Sequence, residues 1–287
     1  MAKLVLQTDF GLVDGAVAAM YGVAFQVDPH LGIYNLTHEI PPYDIFAASY
    51  RLYQTVKYWP AGTVFVSVVD PGVGSDRRSI AAETNDGHYI ITPDNGTLTH
   101  VTTYIGLKGV RQIDEVKNAL PGSQASHTFH GRDIYAYNGA KLASKKISFA
   151  NLGTTLPVGD VVRLPLGKVT QQPGEISGTI DILDIRFGSL WTNISLHAFH
   201  ELNIHTGDRV LVSIYHHDHL RYQNQMPFTR TFATVRVGEP LVYVNSLINI
   251  GVAINQDSFS DVYRIGTGVN WHITFAKAPA APAIISD

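Results

Sequence analysis

The spacing of apolar and polar positions changes character part-way along the chain. Residues 3–8 form a short apolar run that ends at Asp9-Phe10-Gly11, the pattern of a buried strand. Residues 14–27, rich in Ala, Met and Val, predict a helix, 31–36 a second strand and 43–58 a second helix. Residues 63–69 (TVFVSVV) are strongly β-branched and predict a third strand, which stops at Asp70-Pro71-Gly72. Two short runs flank Asn85-Asp86-Gly87, a hairpin signal, and residues 133–144 predict a further helix. Strands alternating with helices predict an α/β domain with a largely parallel sheet. Gln171-Gln172-Pro173-Gly174 reads as a linker. Beyond it, short alternating runs at 176–185, 208–214, 229–237 and 241–245 predict a small all-β, barrel-like domain. The expected division is therefore residues 1–170 for the α/β domain and 176–287 for the β domain, with a proline-rich end, APAAPAIISD, that should fray.

Composition narrows the function classes. With 287 residues and 45% hydrophobic content the chain can bury two cores. A formal net charge of -3 leaves no basic excess to neutralise phosphates, so no nucleic-acid partner is expected. The absence of cysteine excludes disulfides, thiolate metal sites and a cysteine nucleophile, and it fits a reducing compartment. The opening MAKLVLQTDFG lacks the apolar core of a signal peptide, and no apolar run approaches the roughly 18 residues of a membrane span. A cytoplasmic protein without membrane contact is the expectation.

Two strand ends stop on a carboxylate followed by glycine: Asp9 and Asp70. Ligands of open α/β sheets bind beyond the carboxyl ends of strands. A carboxylate there can accept two hydrogen bonds from a ribose diol, or it can simply cap a turn. The glycines at 72 and 74 lack the third glycine of a dinucleotide fingerprint, and neither a phosphate-binding loop nor a nucleophile elbow is present. Arg77 and Arg78 close the same loop, either solvated or with one turned inward against Asp70. His127, His130 and Asp133 fall within seven residues. His130, just before a glycine at a helix mouth, can face a cleft, or all three can serve as metal ligands, although Gly131 weakens the helix that metal spacing requires. Trp191, within RFGSLWTN, can stack on a purine or fill a core. The histidines at 197, 200, 205, 216, 217 and 219 are irregularly spaced and read as exposed rather than metal-binding.

Taken in order, TDFG at 8–11, VVDPGVGSDRR at 68–78, TPDNG at 92–96, TFHGRD at 128–133, RFGSLWTN at 186–193, VNS at 244–246 and AINQ at 253–256 resemble the S-adenosyl-L-methionine hydroxide adenosyltransferases, relatives of the fluorinating and chlorinating enzymes. The resemblance implies an α/β domain, a β-barrel domain and a homotrimer whose ligand lies between neighbouring subunits. It implies that S-adenosyl-L-methionine is the substrate and adenosine and methionine the products. With no cysteine, and with another role open to the histidine cluster, no metal or redox cofactor is expected. Asp70, Arg77 and His130 match the set that holds and activates water. Asp9 matches the ribose-binding carboxylate, with Tyr43 near the ribose. Asp184 and Ser246 match groups at the methionine end, with Asp14 nearby. Trp191 and Phe232 match an aromatic pair around adenine, and Phe187, Ser189, Asn255 and Gln256 fall at its edge.

Two positions depart from the family pattern. Ser189 stands where Asn is usual, and Gly251 where an acidic residue is usual. A halogenase is the rival reading, but halogenating relatives lose the Asp and His that this chain keeps at 70 and 130, and the inserted loop of the fluorinating branch is missing after Arg78. A non-catalytic protein that binds adenosine or S-adenosyl-L-methionine is the other alternative.

Overall fold

A computed structural model describes residues 3–278, so all but the first residue of the proline-rich end lies outside the described residues. The chain divides into two compact units between Leu164 and Pro165.

The first unit contains β1 (Lys3–Thr8), α1 (Ala16–Val27), β2 (Gly32–Thr37), α2 (Ile45–Val56), β3 (Val64–Val68), β4 (Ser79–Thr84), β5 (Tyr89–Pro93), α3 (Thr99–Tyr104), β6 (Leu107–Ile113), α4 (Tyr137–Ala143) and β7 (Gly153–Leu156). Its sheet runs β2-β1-β3-β5-β4-β6-β7. The block β2-β1-β3-β5 is parallel, and β4, β6 and β7 extend it antiparallel. The pleat sends alternate side chains to opposite layers. Leu4, Leu6 and Val66 pack with Met20 of α1 and Ala140 of α4, while Val5, Phe65 and Ile80 pack with Leu52 and Val56 of α2. All five residues of β3 are buried, as expected of a parallel strand covered on both faces. Each fully buried aliphatic or Phe side chain contributes about 1.5–3 kcal/mol. Gly139 lets α4 approach the sheet, because a Cβ there would stand 2.4 Å from Val66.

The second unit holds β8 (Thr170–Gln172), β9 (Glu175–Asp184), β10 (Ser189–Ser195), α5 (Leu196–His200), β11 (Arg209–His216), β12 (His219–Pro227), β13 (Pro240–Val244), β14 (Asn249–Ile254), α6 (Phe259–Tyr263) and β15 (Trp271–Lys277). Its sheet, β12-β11-β15-β9-β10-β14-β13 with β8 beside β9, is antiparallel throughout. A bridge from Phe228 to Val242 curls the two ends toward each other and nearly closes a barrel around Ile180, Leu190, Val212, Ile214, Val252 and Phe275.

Two local expectations are corrected. Gln171-Gln172-Pro173-Gly174 is not a linker but closes the β8–β9 hairpin, with Gly174 at φ +80°. Residues 229–237 do not form a strand. Asn255 donates from Nδ2 to the Val235 carbonyl at 2.8 Å, and a short 3₁₀ turn, Phe232–Thr234, replaces the ladder. Residues 219–227 form β12, an edge strand of this sheet, whose apolar alternation is faint because Tyr222 and Met226 are its buried side chains.

Candidate active site

Strands β1 and β3 are parallel neighbours with Thr8 opposite Val68, so the carboxylates that follow them, Asp9 and Asp70, emerge at the same edge of the sheet. They line a cleft of about 350 Å³ together with Phe10, Tyr43, Val73, His130 and Gly131.

The loop after β3 explains why Arg77 returns to Asp70. Gly74 takes φ +79°, a conformation that favours glycine, and Ser75 Oγ donates to the Gly72 carbonyl at 2.6 Å. The turned chain sends the Arg77 guanidinium onto the Asp70 carboxylate through Nε to Oδ1 at 2.9 Å and Nη2 to Oδ2 at 2.6 Å. Both side chains are nearly buried, at 10% and 6% exposure. Arg78 points elsewhere, pairing with Asp94 at 2.5 Å.

His130 stands at the mouth of a π-type turn, Gly131–Ala136, in which the Tyr137 N–H reaches back five residues to the Arg132 carbonyl. This wider turn brings residues five apart onto one side. His130 Nδ1 lies 2.7 Å from Arg77 Nη2, and the Tyr135 hydroxyl donates to Asp70 Oδ2 at 3.4 Å. A guanidinium only donates, so His130 Nδ1 is the acceptor and the neutral ring carries its proton on Nε2. Burial, seconded by Arg77, holds His130 below the ordinary histidine pKa, while Glu115 and Asp70 pull the other way. Burial pushes the Tyr135 phenol well up, so it stays protonated.

Asp9 is held by the backbone N–H of Tyr43, which donates to Oδ2 at 2.9 Å. Tyr43 adopts φ +68°, a strained choice for a bulky residue, and its ring is largely exposed beside the cleft. Asp14 is exposed, and its Oδ1 accepts the Ala16 N–H at the start of α1.

Glu115 escaped sequence reasoning. It follows β6, and its Oε1 lies 3.4 Å from Arg77 Nη1 and accepts from Ser79 Oγ at 2.6 Å, while Oε2 is 4.0 Å from His130 Nδ1. Among the described residues, no group of three His, Asp or Glu side chains is arranged to hold a metal ion, and Asp133 is engaged by Arg132 at 2.7 and 3.0 Å.

The second unit gathers the remaining candidates around β10 and β13. Asp184 and Phe187 belong to the β9–β10 turn, where Gly188 takes φ +62° and Phe187 is exposed. Trp191 is buried and donates from Nε1 to the Tyr243 hydroxyl at 3.0 Å, and Ser189 is buried two residues before it. The Phe232 ring lies 5.0 Å from that of Tyr243. Tyr243, another residue that the sequence did not disclose, therefore touches both expected adenine-binding aromatics. Gly251 lies opposite Tyr243 in the register, and a Cβ there would come within 2.8 Å of the Tyr243 ring. Ser246 is exposed in the β13–β14 turn, and Gln256 is exposed at φ +59°. Both backbone groups of Asn255 are engaged, its N–H with Glu239 and its carbonyl with Gly238.

A strand-end carboxylate cleft with a buried Asp-Arg-His cluster, paired with a separate antiparallel barrel, matches one family along most of the chain. The SAM hydroxide adenosyltransferase N-terminal domain matches residues 4–153 and its C-terminal domain residues 178–272. The chain belongs to the SAM hydroxide adenosyltransferase family. It is 36% identical over 270 residues to the (R)-S-adenosyl-L-methionine hydrolase of Salinispora tropica, covering 93% of this chain and 95% of that one. It is 25% identical to a fluorinase of Actinopolyspora mzabensis, covering 94% and 96% of the two chains. The crystal structure of an uncharacterized conserved protein from Thermotoga maritima superposes with a TM-score of 0.86 at 30% identity, covering 96% of this chain and all of that one.

Proposed function

We propose that the chain hydrolyses S-adenosyl-L-methionine to adenosine and L-methionine. Water attacks C5′ of the ribose, the C5′–S bond breaks, the sulfur keeps the electron pair as the methionine thioether, and the water's second proton passes to the protein. The observation that carries this reading is the Asp70–Arg77–His130 cluster lining, with Asp9, one cleft at the ends of β1 and β3. The sulfonium is already a good leaving group, so the protein's task is to place water in line and to draw off its proton. Positioning of this kind is worth several kcal/mol, up to about 7–11 in ideal cases. Asp9, steadied by Tyr43, keeps acceptor capacity for the ribose hydroxyls. Trp191 and Phe232, tied together through Tyr243, and the Phe187, Ser189, Asn255 and Gln256 positions serve adenine. Asp184, Ser246 and Asp14 serve the methionine end.

A halide substrate fits the cleft poorly, because it would enter as an anion beside the Asp70 carboxylate. S-adenosyl-L-methionine is the substrate rather than a cofactor, and the reading calls for no metal, nucleic acid or membrane. The cysteine-free sequence suits a cytoplasmic location. The family resemblance supports a homotrimer in which the α/β domain of one subunit meets the β domain of the next. Mixing Asp70→Ala and Trp191→Ala proteins under subunit exchange should then restore activity, and no recovery despite exchange would sink the shared site.

The main test is chromatography of substrate incubated with pure protein. Relatives are named for the R form at sulfur, so both sulfonium epimers belong in the assay. Adenosine and methionine should appear, and Asp70→Ala or His130→Ala should slow their appearance by about 10²-fold or more. No product from either epimer refutes the reading, and substrate binding without turnover would mark a non-catalytic binder.

A further inference from the structure

We propose that Glu115 is a positioning residue for this reaction, anchoring the outer nitrogen of Arg77 and supplying the acceptor that His130 requires whenever its Nδ1 carries a proton. The proposal rests on the hydrolase reading above.

The argument is a count of donors and acceptors around one imidazole. In the state observed, Nδ1 accepts from Arg77 Nη2 at 2.7 Å, which forces the proton onto Nε2. In that tautomer His130 is a donor and has no free nitrogen with which to take a proton from water. Receiving a proton at Nε2 requires the other tautomer, with the proton on Nδ1, and an N–H buried at that position must find an acceptor. Arg77 cannot serve, having only donors. Asp70 already accepts Nε and Nη2 of Arg77. Glu115 Oε2 stands 4.0 Å from Nδ1, so a side-chain shift of about 1 Å completes a hydrogen bond.

Glu115 is also built into the cluster. Ser79 Oγ donates to its Oε1 at 2.6 Å, Arg77 Nη1 lies 3.4 Å from the same oxygen and 3.0 Å from Ser79 Oγ, and the Tyr135 hydroxyl lies 2.9 Å from Ser79 Oγ. The charged and titratable groups facing His130 are Arg77 and Asp70 from the loop after β3, Glu115 after β6, and His127 from its own segment. Arg77 and His127 disfavour the imidazolium, while Glu115 and Asp70 favour it, Glu115 the more strongly. Burial is the largest influence and disfavours the charged ring; with Asp70 committed to Arg77, Glu115 is the foremost group acting in its favour.

The test compares wild type, Glu115→Gln and Glu115→Asp. Nitrogen-detected NMR titration of His130 in the free protein reads tautomer and protonation without relying on turnover. In Glu115→Gln, His130 should titrate at lower pH and remain in the Nε2–H form throughout its neutral range. Its kcat should fall about tenfold or more with KM little changed, and the acid limb of the kcat profile should move to lower pH. Glu115→Asp keeps the charge and should recover part of both effects. A folded Glu115→Gln protein whose His130 titrates as in wild type overturns the proposal even if kcat falls, since Glu115 would then act only structurally. Wild-type kcat in Glu115→Gln overturns it too, leaving the hydrolase reading intact. A wild-type protein inert toward both epimers would instead fail the hydrolase reading itself, and the proposal with it.

Discussion

Replacing Asp70 with Asn keeps the shape of the side chain and removes its charge. The pair it breaks is close and dry: 2.6 and 2.9 Å to Arg77, with 6% and 10% of the two side chains exposed. At that separation and an effective dielectric near 20, the direct attraction is about 6 kcal/mol, before desolvation is subtracted. Removing one partner of a buried pair costs about 3–5 kcal/mol, chiefly because the other charge is stranded. Here Arg77 is not wholly stranded, since Glu115 lies 3.4 Å away and Ser79 3.0 Å away, so the lower end applies. A loss of about 3 kcal/mol in a unit of this size corresponds to a fall of roughly 6–12 °C in Tm. Turnover measured at 25 °C, where both proteins are folded, should fall by about 10²-fold or more. Calorimetry and product chromatography read the two effects separately. An Asn variant melting within about 2 °C of wild type would refute the buried-pair account. One that lost stability yet kept its turnover would make Asp70 structural only.

Gly131→Ala places a Cβ 3.0 Å from the Phe10 ring, which lines the cleft. Steady-state kinetics should show KM raised several-fold, while unfolding changes by no more than about 1–2 kcal/mol. Gly251→Ala should push the Tyr243 ring off its site and break the Trp191 hydrogen bond, costing about 2–3 kcal/mol by denaturant unfolding. In a Tyr243→Ala background the same change should cost much less, and additivity in that double-mutant cycle would refute the contact. Asp181 is buried with its carboxyl pKa raised to about 6, burial being the cause and the Thr179 hydrogen bond a partial offset. Its folded pKa lies above its unfolded value of 3.8, so its contribution to stability is full below pH 3.8 and lost as pH rises to about 6. Asp181→Asn escapes that loss and should be more stable than wild type above pH 6, by at most roughly 3 kcal/mol, with the advantage vanishing near pH 4 in urea titrations.

Much of this was legible because the informative residues sit where chain geometry is local. Asp9 and Asp70 announce themselves at strand ends, and the succession of an α/β part and an all-β part follows from the change of periodicity. Which arginine turns inward is harder to read. Arg77 and Arg78 are chemically alike, and the choice depends on the Gly72–Ser75 turn and on Asp94 waiting for Arg78. Glu115 was invisible because it lies 38 residues from the guanidinium that it touches. Tyr135 was read as part of an ordinary helix, whose spacing would not set it on the same side as His130. The Tyr243–Gly251 exchange exists only across a strand pair, and no single-chain pattern records it. Gln171–Gly174 misled because proline and glycine mark a linker and a tight hairpin alike.

The π-type turn at Gly131–Ala136 has a cost that runs opposite to ordinary improvement of a protein. An α-helix advances about 100° per residue, so deleting one residue from the turn would restore regular bonding and swing everything on one side of it by about that angle. Either His130 would then leave the guanidinium, or Tyr135 would leave Asp70 and the guanidinium that lies 5.6 Å over its ring. The shortened helix would be the better helix, with shorter backbone bonds and a tighter fit to the common geometry. A search for stabilising changes guided by helical regularity alone would choose it early and obtain a hardier molecule with a dismantled Asp-Arg-His cluster. The irregular turn thus records a compromise in which helical order is surrendered at the one place where two side chains must converge.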